Sequence, residues 1–147
     1  MTAAAQHGFI LPLDDRGVVQ VEGDDALNLL NNIVSGSVPS LLAQGGGRTA
    51  LLSPQGKILF EFFLTGAPEA ILIDVAADRA SDLVRRLQLY VLRARVRVTE
   101  VSADYTVAAW WGPTAPKIPG ALIYCFPRSA TGSAPAGAIQ KMGRIVL

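Results

Sequence analysis

A single cysteine and a single histidine occur in the chain. Cys125 on its own excludes an internal disulfide and any paired-cysteine metal or redox site. His7, in a terminal stretch, rules out both a histidine metal cluster and a Ser-His-Asp triad assembled within this chain. Neither residue is assigned a role, and no metal site is expected. Excess charge of one sign is missing too. Thirteen lysines and arginines face twelve aspartates and glutamates, a net charge of +1, which supplies no field to draw in DNA or RNA. No apolar run approaches the roughly 18 residues of a membrane span. The opening MTAAAQHGF has neither the basic region nor the apolar core of a secretory signal. The expectation is therefore a soluble, cytoplasmic protein that engages neither nucleic acid nor membrane.

What is present is apolar. Half of the 147 residues are hydrophobic and mean hydropathy is +0.35, enough for one domain, or one segment of a larger one, with a substantial core. Gly17 to Gly23 alternates as a strand. Gly23-Asp24-Asp25-Ala26 then starts a helix with an aspartate cap and Leu27, Leu29, Leu30 and Ile33 as its apolar content. Val38 to Leu42 reads as a second short helix, ended by Gln44-Gly45-Gly46-Gly47. Those glycines mark a loop, since no Lys-Ser/Thr pair follows to make a phosphate cradle. Ala70 to Val75 is a strand. The helix after it carries Ala80, Leu83, Val84, Leu87, Tyr90 and Val91 on one stripe, with Asp82 and Arg86 paired on the outside. Leu92 to Val101 alternates, with Arg93, Arg95, Arg97 and Thr99 on one face, and Asp104 to Trp111 is a further strand ending in Trp110-Trp111, a core or subunit contact. Beyond Gly112 the texture turns to Pro, Gly, Ala and Ser around the apolar runs ALIYCFP and KMGRIVL. Strands separated by single helices, with hairpins among them, predict an α+β fold with a largely antiparallel sheet and packed helices. Residues 1–111 form the main region. Residues 112–147, with short strands, read as the truncated start of the rest of the fold.

The most informative stretch is LLSPQGKILFEFFL, residues 51–64. Ser53-Pro54-Gln55-Gly56 has proline and glycine where a type I turn takes them, so the flanking runs make a hairpin. On its second arm Ile58, Phe60, Phe62 and Leu64 point to one face, and Leu59, Glu61 and Phe63 to the other. Glu61 is thus a lone carboxylate among large apolar neighbours. A charge so placed costs several kcal/mol unless something pairs with it. The partner is either a bound ligand or an arginine such as Arg93 or Arg95.

The order of motifs resembles the N-terminal region of the YgfZ-type folate-binding proteins, relatives of the glycine-cleavage T-protein, an aminomethyltransferase. The matching pieces are Asp15-Arg16-Gly17 running through Val18-Val19-Gln20-Val21 into Gly23-Asp24-Asp25-Ala26 and Leu29-Leu30; then Leu51 to Leu59; then Tyr90-Val91-Leu92-Arg93 with Val96. Gly143-Arg144 echoes a glycine-arginine strand of the family. Two departures stand out. Ser35-Gly36-Ser37 occupies the place of the family's Thr-Asn-Asp turn, and the diagnostic Lys-Gly-Cys-Tyr-x-Gly-Gln-Glu stretch is absent, with Cys125 unable to stand in for it.

The resemblance implies a protein that holds tetrahydrofolate and takes part in assembling or repairing iron-sulfur proteins, with no catalytic residue in this segment. It places Glu61 at the acidic position that lies against the folate, accepting hydrogen bonds from pterin nitrogens. It places Asp74 where the T-protein uses an asparagine; the other reading of Asp74 is a strand-end or capping residue. Two further functions stay open: a tetrahydrofolate-dependent aminomethyltransferase, for which Phe60-Glu61 offers one carboxylate where the enzyme has two, and a truncated interaction domain without a ligand. The implied partners are the folate, iron-sulfur assembly proteins, and either a second copy or a missing C-terminal half.

Overall fold

Period-two apolar patterning builds a five-stranded antiparallel sheet in the computed structural model, which describes residues 9–112, 122–126 and 141–146. Its strands are β2 (Arg16–Glu22), β3 (Gly47–Leu52), β4 (Ile58–Ala67), β5 (Ala70–Ala76) and β6 (Arg97–Glu100), in the order β3-β4-β5-β2-β6. Val19, Val21, Leu51, Phe62, Leu64, Ile73 and Val75 line one face and are buried together. Three helices cover that face: α1 (Ala26–Ile33), α2 (Val38–Ala43) and α3 (Ala80–Gln88), through Ala26, Leu30, Val38, Ala80, Leu83 and Leu87. Each helix spends its apolar stripe on the sheet, the usual solution for a two-layer α+β unit.

A second antiparallel sheet takes the strands β1 (Phe9–Pro12), β7 (Val107–Gly112), β8 (Leu122–Phe126) and β9 (Lys141–Val146) in the order β1-β7-β9-β8. Val107 of β7 packs with Val18 and Leu72, on the side of the first sheet away from the helices. The main sheet is therefore covered on both faces. The α+β reading with antiparallel sheets holds.

Several local expectations need correction. Asp25 stands at the N-cap of α1, yet its side chain makes no capping bond; Oδ2 instead accepts from the backbone N–H of Arg95 at 2.8 Å. That contact, with the Asp25 N–H donating to the Arg95 carbonyl at 3.3 Å, pins residues 92–96 to the start of α1. The arginine row is thus not one strand: only Arg97–Glu100 joins the ladder. Asp82 pairs with Arg85, three residues on, at 2.5 Å, so Arg86 is left to another environment. The strand expected from Asp104 begins at Val107, after a turn of 3-10 helix over Ser102–Asp104, and β1 had no signature in the sequence. Trp110 is buried at 1 % exposure, a core position. His7 and the linkers 113–121 and 127–140 lie outside the described residues.

Candidate functional site

The face of the main sheet opposite the helices carries the polar residues singled out from the sequence. Antiparallel pairing sets Arg48, Phe63, Asp74 and Val18 in one row across β3, β4, β5 and β2. Glu61 lies two residues from Phe63 on β4, hence diagonal to Asp74, at a typical separation of about 7–8 Å. The two predicted residues do share a face, and each has its own arginine.

Asp74 is the buried member. Its side chain is 1 % exposed, and Arg16 Nε donates to Oδ1 at 2.6 Å. Arg16 Nη2 also donates to the Asp74 backbone carbonyl at 2.9 Å, and its guanidinium carbon lies 5.9 Å from the centre of the Phe63 ring. Asp74 stands within β5 and not at a strand end. A carboxylate this deep needs such a charged partner, because uncompensated charge away from water is costly.

Glu61 is the open member. Its side chain is 52 % exposed, and Oε2 accepts from Arg48 Nη2 at 2.8 Å, with Arg48 itself 64 % exposed. The expectation of a carboxylate enclosed by apolar neighbours is corrected: Glu61 meets solvent and a surface arginine. The partner is Arg48 and not Arg93 or Arg95. Arg95 lies 3.6 Å from Asp24 and Arg97 3.6 Å from Glu22, at the far end of the sheet. The turn Ser35-Gly36-Ser37 is held by Thr49: Gly36 N–H donates to its hydroxyl at 3.2 Å, and Ser35 N–H donates to the Ala50 carbonyl at 2.8 Å. These bonds cap the outer edge of β3.

Among the described residues, two further open grooves stand out. One, of about 1030 Å³, runs past Glu22, Asp24, Glu69, Arg95 and Arg97. The other, of about 400 Å³, lies between the start of β4 and α3. Neither includes Glu61 or Asp74. Among the described residues there is no cluster of three metal-ligating side chains, and no helix is long and apolar enough to cross a membrane.

This architecture has a solved counterpart. The aminomethyltransferase T of the glycine cleavage system from Bartonella henselae superposes with a TM-score of 0.71, covering 99 % of this chain and 43 % of that one at 16 % identity. The chain carries part of the T-protein fold. The motif resemblance to YgfZ-type relatives of the T-protein agrees with this fold. No family model matches the sequence, but named relatives do. Over 115 residues it is 30 % identical to the mitochondrial iron-sulfur cluster assembly factor IBA57 homologue of Mycosarcoma maydis, covering 65 % of this chain and 27 % of the relative. The corresponding protein of Pyricularia oryzae is 31 % identical over 90 residues, covering 58 % and 23 %. That of Aspergillus oryzae is 27 % identical over 115, covering 67 % and 26 %. The chain thus spans about a quarter of the length of these relatives. All three are mitochondrial by name, which overturns the expectation of a cytoplasmic protein. That expectation rested on the opening residues and on hydropathy, and neither the composition nor the fold of a T-protein-like domain encodes its compartment.

Proposed function

We propose that this chain is part of a YgfZ-type folate-binding protein acting in iron-sulfur cluster assembly or repair, with Glu61 and Asp74 as its folate-side carboxylates and no catalysis of its own. The names of the three relatives support the cluster-assembly role, and the T-protein fold supports the folate. Residues 1–111 form the folate-binding-like region, and 112–147 begin the remainder of the fold. Iron-sulfur assembly proteins are the partners, along with a second copy or the complementary C-terminal half.

The observation that carries the reading is the state of Glu61. Its carboxylate is half-exposed on the sheet face, and only Oε2 is engaged by Arg48 among the described residues. Oε1 is left to accept from the N–H donors that edge a pterin ring, so the residue fits that ligand. Asp74 fits differently. At 1 % side-chain exposure it acts through Arg16, which it holds in place beside Phe63. Bound tetrahydrofolate supplies one-carbon carrier chemistry, while this chain's own residues bind and orient it.

A thermal melt tests this, with and without excess 5-formyltetrahydrofolate, on the parent and on Glu61→Gln. A ligand raises the midpoint with the logarithm of its concentration over Kd. The expected result is a shift in the parent that the substitution abolishes. An unshifted parent melt across millimolar ligand sinks the reading.

A further inference from the structure

The 400 Å³ groove on the helix side of the main sheet is lined by Leu59 and Phe60 from β4 and by Arg79, Arg85, Arg86 and Leu89 from the α3 region. Its charge is lopsided. Asp82, which also lines it, is taken by Arg85, leaving the guanidinium groups of Arg79 and Arg86 without an acidic neighbour among the groove residues. Arg79 is set in place: it donates from Nη2 to the Leu59 carbonyl at 2.9 Å and lies 4.4 Å over the Phe60 ring. Stacking and a backbone anchor hold its fork at low entropic cost. Arg86 carries the unmet demand. Its Nε is buried and has no hydrogen-bond partner among the described residues, so the polar demand of this guanidinium is not met from within the fold. Beside these cations Leu89 is 65 % exposed.

We infer that this groove is a docking site for an acidic segment of a partner protein, in which a carboxylate meets Arg79 and Arg86 and an adjoining apolar side chain covers Leu89. Charge complementarity and the exposed leucine together select that occupant. A free inorganic anion satisfies the guanidinium groups but leaves Leu89 in water. An anionic membrane is disfavoured because α3 has its apolar face, Ala80, Leu83 and Leu87, fully spent on the core, leaving none to enter lipid. The groove has room for about two side chains and lies within the usual range for ligand sites. It does not depend on the folate reading, since Glu61 and Asp74 occupy the opposite face of the sheet.

The test is fluorescence anisotropy of a labelled peptide of alternating glutamate and leucine added to the 147-residue chain, with a glutamine-leucine peptide as control. The glutamate peptide binds, the control does not, and added salt weakens the complex. Arg79→Gln weakens binding by about tenfold or more. Leu89→Ser weakens it several-fold while leaving the melting midpoint in place, because the side chain is exposed. Arg86→Lys keeps the charge and loses the planar guanidinium that lines the groove, so it also weakens binding; in the parent, peptide shifts the Arg86 Nε–H resonance through the change at that guanidinium. Any of the following overturns the proposal: equal binding of both peptides, complete displacement by millimolar inorganic phosphate, or insensitivity to all three substitutions. Arginine-dependent pelleting with phosphatidylglycerol vesicles, without peptide binding, also overturns it in favour of lipid.

Discussion

Asp74 and Glu61 are two carboxylates on one sheet face, diagonal to each other, yet losing their arginines should cost the fold very different amounts. Burial decides. Removing Arg16 takes two hydrogen bonds from the strand that bears a carboxylate of 1 % exposure, so Arg16→Met is expected to cost about 3 kcal/mol in urea unfolding. The double substitution Arg16→Met with Asp74→Leu should recover part of that loss, because the buried carboxylate that Arg16 compensates is then gone as well. Arg48→Met removes a pair whose members are more than half exposed and is expected to cost under about 1 kcal/mol. If the two arginines prove equivalent in such melts, the contrast drawn between them fails. Glu61 was legible as unusual from its strand pattern, and Asp74 only through the resemblance to the T-protein family. Their partners were not, since Arg16 lies 58 residues from Asp74 in the chain and sequence spacing carries no sign of that approach.

At the scale of elements, the pairing of β3 with β4 turns on one irregularity. The register shifts between Leu51 and Leu52. An unshifted hairpin would set Arg48 opposite Phe62 on the core face; the shift sets it opposite Phe63, on the face of Glu61. The turn itself was plain in Ser53-Pro54-Gln55-Gly56, and Gly56 has the left-handed φ of +87° that such turns favour. The bulge was not, because it depends on how β3 fits between β4 and the segment 34–36. A second junction lies at Gly23, where φ is +120° and a Cβ would fall 2.0 Å from the Arg95 carbonyl oxygen. Gly23→Ala is therefore expected to lose at least about 2 kcal/mol, since the contact that pins residues 92–96 to α1 has to open. Gly56→Ala, with nothing within 4 Å of its Cβ, should lose only about 1 kcal/mol, the conformational part alone. Equal losses at the two sites would contradict the close approach at Gly23.

The whole molecule stands on a sheet used from both sides. Helices cover one face; on the other, Val18, Leu72 and Val107 close a smaller core at 1–2 % exposure. Val107→Asp places an unpaired charge in that second core. It should lower the unfolding midpoint steeply and raise dye binding to exposed apolar surface, while Leu92→Asp, at 86 % exposure, should do neither. A Val107→Asp chain as stable as the parent would show that the second sheet does not stabilise the first.

Period and turn chemistry were enough to set the main strands, the three helices and the α+β class, because alternation and helical stripes are local consequences of which side chains must leave water. The motif order Asp15-Arg16-Gly17, Ser-Pro-Gln-Gly and Tyr90-Val91-Leu92-Arg93 was enough to point to the T-protein fold. The tertiary structure alone decided which arginine meets which carboxylate, that Asp74 is buried while Glu61 is open, and that Arg79 and Arg86 face one groove. Those outcomes depend on register and long-range packing, where a one-residue slip reverses every face and contacts join residues far apart in the chain.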